Sequence, residues 1–347
     1  MHDHRHGDAA ARRLATSVGV GAIDFAVSVN PFGPCPTLVE VLREVDPWAY
    51  PDPHCCGARD SLGAYLGVAA EGLVLGNGAS ELIWTFSSVL QVGERKRALV
   101  IEPAFSEASA AAEAHGEPPL RFRVDDPALV DAAALKTAIE QANPSYVYLA
   151  NPTSPWGRTW DPDLLTELIE STQPVSWIVD ESFLSLSSAH RDGSEPLPAS
   201  AIRLRSLGKE LGLAGVRVAY ATVDPALGNR VRASRAPWTV NAYALAVVDA
   251  IGESRQWVDD SRDTLLGLTE RLRQMLESEG LRLELSQAVY GVVRVGDARS
   301  VADRLLFGHQ IAVRDCTSFG MPEHIRVCAR PEADLERLVT AVAEVCR

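Results

Sequence analysis

The chain has 347 residues, a formal net charge of −13 and a mean hydropathy of −0.01. That length suits about two domains with a large core, and the hydropathy is typical of a soluble globular protein. The acidic balance argues against nucleic acid or an anionic membrane as the main partner, because neutralising phosphates requires clustered Lys and Arg, and no apolar run is long enough to span a bilayer.

Much of the chain before residue 238 alternates short apolar runs with helical patterns. The apolar runs are β-branched or aromatic and bounded by turn residues, which predicts buried strands, and the helical patterns open with Ser, Asp or Pro. In chain order the segments are ASELIWTFSSVL (helix), ALVIEP at 98–103 (strand), YVYLANP at 146–152 (strand), DPDLLTELIES (helix), VSWIVDE at 175–181 (strand), AIRLRS at 201–206 (strand), VRVAYATV at 216–223 (strand) and DPALGNRVRAS (helix). This alternation predicts a mainly parallel sheet wrapped by helices.

The pattern changes after residue 238. A long amphipathic helix over roughly 255–279 leads into a few short strands and the closing helix PEADLERLVTAVAEVCR, which predicts a smaller α+β domain. We therefore divide the chain into an N-terminal arm or small-domain segment (1–35), a large domain (36–240) and a small C-terminal domain (241–347). There is no internal repeat or low-complexity segment.

The N-terminal sequence and the cysteines indicate which cellular compartment and which metal sites to expect. MHDHRHGDAAARR lacks the apolar core of a secretory signal, so a cytoplasmic location is expected. We interpret HDHRH as a flexible arm, with adventitious metal binding as the alternative, and no Asp/Glu/His spacing elsewhere predicts a metal site. The six cysteines lack CxxC spacing, and adjacent Cys55 and Cys56 are poor disulfide partners, so all six are expected as reduced thiols.

Ligands of such sheets bind at the carboxyl ends of the strands, where this chain carries GNGASE, EPAFSE, NPTSPWG, DESF and SLGK. Each motif alone has a structural explanation: GNGAS as a helix-capping turn, Asp180 as a turn cap, Lys209 as a surface lysine and Arg217 as a strand-edge charge. Together they supply an anion-binding backbone, an aromatic ring, an acid after a buried strand, and a Lys followed by an Arg. That set suits pyridoxal 5'-phosphate, which needs an amine, a phosphate cup and a carboxylate at its pyridine nitrogen.

On these motifs, from HGD at residues 6–8 to IRVCAR at residues 325–330, the chain resembles the fold-type I pyridoxal-phosphate enzymes of the aminotransferase class I/II superfamily. The resemblance implies a mainly parallel seven-stranded sheet in the large domain. It makes Lys209 the Schiff-base lysine and proton shuttle, and Asp180 the partner of the pyridine nitrogen. The other cofactor contacts that it implies are the phosphate ligands Gly78, Ala79, Ser80, Ser206 and Arg217, the ring-stacking Phe105, and Tyr50 reaching the phosphate of a neighbouring subunit, hence a homodimer. A plain core role for Phe105 and a structural role for Tyr50 are the alternatives.

Within the superfamily the sequence is most similar to threonine-phosphate decarboxylases of cobalamin synthesis, and next to histidinol-phosphate aminotransferases. The similarity lies in HGD with AIDFAVSVNPFGP, in VRDCTSF (313–319), in RAPWTVNA, and in Phe183 of DESF, where the aminotransferases usually place a Tyr. It implies that Arg326 grips the substrate carboxylate as a bidentate fork and that Arg314 binds the substrate phosphate. His6 either joins the phosphate site or belongs to a tag-like terminus.

One motif departs from the family pattern. NPTSPWG (151–157) places Ser154 where an Asn normally donates to the ring oxygen of the cofactor, and it places Trp156 where the family has Thr. Because Phe183 cannot donate either, that oxygen has one short hydroxyl as its candidate partner, which predicts an unusual pH titration of the lysine–cofactor chromophore. Trp156 is expected to narrow the substrate site.

These residues predict an enzyme that decarboxylates a small phosphorylated amino acid, of the L-threonine O-3-phosphate type, to a phosphorylated amino alcohol. The alternatives are a histidinol-phosphate type aminotransferase and a catalytically silent paralogue that binds the cofactor. Both Lys209 and Asp180 are present, which disfavours the silent paralogue. A transcription regulator on this fold would need an added domain of about 60 or more residues, and the segment before the fold is too short for one.

Overall fold

The computed structural model describes residues 21–93, 97–190, 197–198 and 200–347. Its strands are β1 Ile23–Asp24, β2 Leu73–Gly76, β3 Arg97–Glu102, β4 Glu117–Arg123, β5 Tyr146–Ala150, β6 Ser176–Asp180, β7 Ala201–Arg205, β8 Ala219–Thr222, β9 Tyr290–Arg294, β10 Ile311–Ala312, β11 Arg314–Asp315 and β12 His324–Cys328.

The helices alternate with the strands up to β8 and dominate the chain beyond it. They are α1 Pro36–Arg43, α2 Cys56–Leu66, α3 Ala79–Leu90, α4 Ser106–His115, α5 Ala132–Ala142, α6 Pro162–Ser171, α7 Leu207–Glu210, α8 Pro225–Ser234, α9 Ala242–Asp249, α10 Arg255–Ser278, α11 Ala298–His309 and α12 Glu332–Cys346. Several begin at a side-chain cap of the kind the sequence predicts; Asp161, for example, accepts a hydrogen bond from the backbone N–H of Leu164 at 2.9 Å.

The large sheet has seven strands in the order β2-β8-β7-β6-β5-β3-β4. The pairs β7–β6, β6–β5, β5–β3 and β3–β4 are parallel, and only β8 runs against its neighbours. The prediction of a mainly parallel, helix-wrapped seven-stranded sheet is therefore confirmed, and each predicted strand is found within a few residues of its expected bounds.

Both faces of the large sheet are covered. One face packs Val100, Tyr148 and Ile178 against α3, α4 and α8. The other packs Val147, Trp177 and their neighbours against α5 and α6, while α1, α2 and α9 cover its β2–β8 end. This double cover explains why the central strands read as continuous apolar runs rather than alternating ones.

In the large sheet, the sequence analysis missed two strands, β2 and β4. β4 contains two prolines, EPPLRFR, and it lies at the edge of the sheet, where its pairing with β3 shifts register at the prolines. β2 has only four residues, so its pattern is too short to show a period.

The C-terminal part builds a second, small sheet of antiparallel strands in the order β11-β12-β9. Beside it, β1 pairs in parallel with β10, which joins the N-terminal segment to this part of the molecule. The long helix α10 and the closing helix α12 appear as predicted and pack with α11 over the small sheet. The domain boundaries at residues 35 and 240 stay predictions.

Candidate active site

The predicted residues gather at one edge of the large sheet. Asp180 ends β6, the loop 151–157 follows β5, and Ser206 follows β7. Because β8 runs in the opposite direction, Arg217 reaches the same edge from the start of that strand. The carboxyl ends of parallel strands meet at one edge, so residues far apart in sequence come together here.

Lys209 lies on the four-residue helix α7, directly after β7, and is one of three lysines in the sequence. Its Nζ atom lies 4.7 Å from the centre of the Phe183 ring. Burial lowers the pKa of Lys209, and the nearby Arg217 and Arg326 lower it further, while Asp180 opposes the shift. A lowered pKa favours the neutral amine, which is the form that attacks an aldehyde.

Asp180 is a buried carboxylate with two hydrogen-bond donors. The Tyr148 hydroxyl donates to it at 2.6 Å, and the Ser182 backbone N–H donates at 2.9 Å. Burial, reinforced by the Asp180 charge, raises the pKa of Tyr148 well above its usual value, so Tyr148 keeps its proton. The sequence analysis missed Tyr148, although its place two residues before Ala150, the register partner of Asp180, puts it on the same sheet face.

Gly78 directly precedes the helix α3, where the sequence predicts a phosphate cup made with Ala79 and Ser80. It has φ +92°, and a Cβ at this position would overlap the guanidinium of Arg217. Glycine is therefore required both by the backbone and by the approach of an arginine to the start of the helix. The first N–H groups of a helix lack intrahelical partners, so this arrangement favours an anion.

Asn241 forms hydrogen bonds with two segments that border the predicted phosphate cup. Its amide donates to the Asn77 side chain at 2.6 Å and to the Val216 backbone carbonyl at 3.0 Å. It therefore joins the loop before Gly78 to the turn before Arg217. Asn241 belongs to the motif RAPWTVNA, which does not by itself indicate this contact.

The remaining predicted cofactor residues are placed as follows. Ser206 is buried at the start of α7, and Phe105 begins α4 and packs against the core of the large sheet. Tyr50 is 85% exposed and stacks at a tilt on Trp238, with ring centres 5.2 Å apart. His6 lies outside the described residues.

Arg326 lies on β12 of the small sheet and reaches across to the large sheet. It donates to the Ser154 hydroxyl at 3.0 Å and to the Ala26 carbonyl at 3.1 Å, and its guanidinium lies 5.1 Å from the centre of the Tyr290 ring. Its Nε atom is buried and has no hydrogen-bond partner among the described residues. Ser154 thus accepts from Arg326, a contact that the sequence analysis did not foresee.

Arg314 is the register partner of Arg326 across β11 and β12. Directly opposed residues of an antiparallel pair project from the same face, so two arginines share this position. Arg314 donates to the Ser318 hydroxyl at 2.8 Å and lies 5.2 Å from the centre of the Phe319 ring. Trp156 packs beside this strand pair with Cys316, Met321 and Phe319.

These residues fit pyridoxal 5'-phosphate. One edge of the sheet holds a buried amine and a buried carboxylate with hydrogen-bond donors. The same edge holds the start of a helix, where a glycine leaves room for the guanidinium of an arginine. Lys209 would hold the aldehyde carbon, Asp180 the ring nitrogen, and the Gly78–Ser80 cup with Arg217 the phosphate. The fold and the site define the class of pyridoxal-phosphate-dependent enzymes of fold type I.

The family assignment agrees. Residues 21–342 match the model of the family described as aminotransferase class I and II, and the chain belongs to that family. Within the described residues, no helix is both long and apolar enough to cross a membrane.

Curated relatives carry two kinds of activity. An adenosylcobalamin biosynthesis bifunctional protein, CobDQ, of Leptospira interrogans is 26% identical over 93% of this chain, which spans 38% of that relative's length. A putative threonine-phosphate decarboxylase of Caldanaerobacter subterraneus is 26% identical over 84% of this chain and 81% of its own length. A histidinol-phosphate aminotransferase of Moorella thermoacetica is 28% identical over 93% of this chain and 85% of its own length.

Solved structures show the same fold. The histidinol-phosphate aminotransferase of Sinorhizobium meliloti, in complex with pyridoxal-5'-phosphate, aligns with a TM-score of 0.86 at 23% identity over 97% of this chain and 94% of its own. The L-threonine-O-3-phosphate decarboxylase of Porphyromonas gingivalis aligns with a TM-score of 0.80 at 18% identity over 92% of this chain and 97% of its own.

Proposed function

We propose that this protein decarboxylates an O-phospho amino acid of the L-threonine O-3-phosphate type, releasing carbon dioxide and a phosphorylated amino alcohol. The observation that carries the proposal is the opposition of Arg314 and Arg326 across β11 and β12. Register partners of an antiparallel pair project from the same face of a sheet, so the two guanidinium groups can act on one ligand. A substrate with both a carboxylate and a phosphate supplies two anionic groups for the two arginines.

The chain's own residues can orient such a substrate. The guanidinium of Arg326 is anchored by Ser154 and Ala26 and has a spare Nε donor for a carboxylate. With Arg314 on the phosphate, the substrate is held at both ends, and rotation about its α carbon is fixed. Two anchors can therefore set the carboxylate, rather than the α hydrogen, perpendicular to the ring plane.

When bound, pyridoxal 5'-phosphate supplies an electron sink for the pair left when a bond at the α carbon breaks. Asp180, held by Tyr148 and Ser182, is the carboxyl group that would meet the ring nitrogen. In decarboxylation the bond from the α carbon to the carboxylate breaks and carbon dioxide leaves. Lys209 Nζ, in its protonated form, would then donate one solvent-derived proton to the α carbon in place of the lost carboxylate.

The second candidate is a histidinol-phosphate type aminotransferase. It is favoured by the Moorella relative and by the fold of the Sinorhizobium enzyme. Histidinol phosphate has a phosphate but no carboxylate, so it offers one anionic group to the two arginines. A silent cofactor-binding paralogue is the third candidate, and it would leave every substrate unchanged.

One experiment separates the three candidates. The purified protein is reconstituted with pyridoxal 5'-phosphate and mixed in turn with phosphothreonine and with histidinol phosphate plus 2-oxoglutarate. Carbon dioxide and aminopropanol phosphate from phosphothreonine are the expected result. Glutamate and a keto product from histidinol phosphate would overturn the proposal in favour of the aminotransferase, and no turnover of either would favour the silent paralogue.

We further propose that the enzyme works in the cytoplasm as a homodimer with Tyr50 completing the phosphate site of the partner. Trp48 is 95% exposed and Tyr50 is 85% exposed. Two further aromatic residues, Trp238 and Tyr243, are also partly exposed. Large exposed aromatic residues are typical of protein interfaces. Sedimentation of the wild type and of Trp48→Ala tests this, with a shift to monomer and weaker cofactor binding expected for the variant.

A further inference from the structure

Each of three residues of the proposed site has a buried or largely buried charged residue next to it in the chain. Glu181 follows Asp180, Arg205 precedes Ser206, and Glu210 follows Lys209. Glu181 is 3% exposed and Glu210 is 8% exposed. The mechanism proposed above uses none of Glu181, Arg205 or Glu210, so their burial calls for another explanation.

Glu181, which follows β6, and Arg205, which ends β7, form an ion pair. Arg205 Nε donates to the Glu181 carboxylate at 2.7 Å, and Arg203 Nε also donates to it at 3.1 Å. The charges of Arg205 and Arg203 lower the pKa of Glu181 against the opposing effect of its burial, so Glu181 stays ionised. Arg205 is opposed on β8 by the buried Tyr220, on the same face of the sheet.

Glu210 is a buried carboxyl that feels the charge of Arg205. Burial raises the pKa of Glu210, while its hydrogen bond with Ser185 and the charges of Arg205 and Arg262 oppose that shift. The charged residues that act on Lys209 are a different set, namely Asp180, Arg217 and Arg326. Direct contacts therefore define the ion pair of Glu181 and Arg205, and Glu210 lies outside that pair.

We propose that Glu181 and Arg205, the buried ion pair, are positioning residues that hold Asp180 and Ser206 at a fixed separation in the cofactor site. The inference rests on the proposed cofactor site. Consecutive Cα atoms are joined by a rigid peptide of about 3.8 Å, so holding Glu181 and Arg205 also holds their neighbours. Displacements of about 1 Å at reacting groups can cost roughly 100-fold in rate, so this constraint has functional value.

Stability alone does not explain the buried ion pair. Replacing buried ion pairs by apolar residues of similar size is often neutral or stabilising, so an apolar pair here could serve the fold as well. An ion pair differs from apolar packing in its directionality, because Arg205 must meet the Glu181 carboxylate at hydrogen-bond distance and angle. A directional contact between the chain neighbours of Asp180 and Ser206 suits positioning.

The test compares Arg205→Met with the matched control Arg203→Met. Both variants remove one guanidinium from Glu181, but Arg203 lies two residues further from Ser206 and is not among the charged residues acting on Glu210. The readouts are the dissociation constant of pyridoxal 5'-phosphate and the pH titration of the visible chromophore. We expect Arg205→Met to weaken cofactor binding by about tenfold or more and to shift the titration, and Arg203→Met to change binding by less than about threefold.

A double variant, Glu181→Leu with Arg205→Met, guards against simple unfolding. In Arg205→Met the buried Glu181 carboxylate keeps Arg203 but loses its shorter contact with Arg205. Replacing Glu181 as well removes that carboxylate, so the double variant should regain part of the melting temperature lost in Arg205→Met. The inference predicts that cofactor affinity and the chromophore titration stay altered in the double variant. It also predicts that Arg205→Lys changes both readouts less than Arg205→Met does. Return of both readouts to wild-type values in the double variant would overturn it.

The outcomes also distinguish this inference from the proposed function. If the wild type forms no chromophore with pyridoxal 5'-phosphate, the proposed function fails. If the wild type forms one and Arg205→Met leaves its affinity and titration unchanged, only the positioning role fails.

Discussion

The two sides of the site are built differently. On the large-sheet side, Asp180 has two internal hydrogen-bond donors and Glu181 has two arginines. On the small-sheet side, Arg326 keeps an unpartnered Nε, and Arg314 is its direct register partner. The large-sheet side is thus preorganised by internal contacts, whereas the small-sheet side places two arginines on one face. Under the proposed function, the first side holds the cofactor and the second side selects the substrate.

The strongest test of the large-sheet side is Lys209→Ala. The variant loses the amine that binds the aldehyde and returns the proton, so activity should fall by roughly 10³-fold or more and the visible band should disappear. Absorbance after borohydride treatment, with mapping of the labelled residue, measures this. Lys136→Ala, at an exposed lysine of α5, is the control, and label on Lys136 in the wild type would contradict the assignment.

Arg314→Met tests the small-sheet side. A hydrogen bond from a charged donor contributes roughly 1.5–3 kcal/mol, so its loss should lower kcat/KM for phosphothreonine by about 10- to 100-fold. The loss should be much smaller for unphosphorylated threonine, because only the phosphate contact is removed. Arg294→Met is the control, since Arg294 pairs with Glu323 at the exposed end of the same sheet. Equal losses on both substrates would show that Arg314 does not read the phosphate.

A smaller effect is expected from Tyr148→Phe, which removes one donor from Asp180. A buried carboxylate that loses a hydrogen bond holds a charge less well, so kcat should fall by roughly tenfold. Tyr146→Phe is a matched control on the same strand, because the Tyr146 hydroxyl donates to Ser87 at 3.0 Å instead. Steady-state kinetics of the two variants would refute the role of Tyr148 if both lost equal activity.

Ser154 lies where the two sides meet, and its substitution should mainly change the spectrum. The Ser154 hydroxyl accepts from Arg326 and still has its own proton to donate. Ser154→Ala removes that donor and should raise the pKa of the chromophore, while Ser154→Asn should lower it, each by about one unit or less. Absorbance titration measures both, and identical titration curves would exclude a contact to the ring oxygen.

The smallest expected effect is on the pH dependence of stability without cofactor. Burial lowers the folded-state pKa of Lys209 below its usual 10.5, so between the two values the unfolded chain binds more protons than the folded chain. Unfolding free energy therefore rises with pH through that window. The stability advantage expected for Lys209→Met over the cofactor-free wild type should shrink as the pH approaches 10.5. Urea unfolding at several pH values measures the gap, and a constant gap would contradict the lowered pKa.

Much of the large sheet was predictable because buried parallel strands read as apolar runs. Asp180 and Lys209 could be singled out as candidates for a related reason, since each lies within a few residues of the end of such a run and strand ends of this fold collect ligands. Tyr148 was missed because its contact with Asp180 depends on the register between β5 and β6. The contact between Arg326 and Ser154 joins residues 172 positions apart, which no local pattern can indicate.

The sequence by itself determined the alternation of strands and helices, the family motifs and the residue types that a phosphorylated cofactor needs, because these depend on local periodicity and on chemistry at strand ends. Only the tertiary structure decided which side chains meet: the two arginines on one face of the small sheet, the tyrosine on Asp180, and the ion pair of Glu181 and Arg205. The reason is physical. Register and packing across distant segments set these distances, and a carboxylate or guanidinium acquires its role from the partner it is buried against.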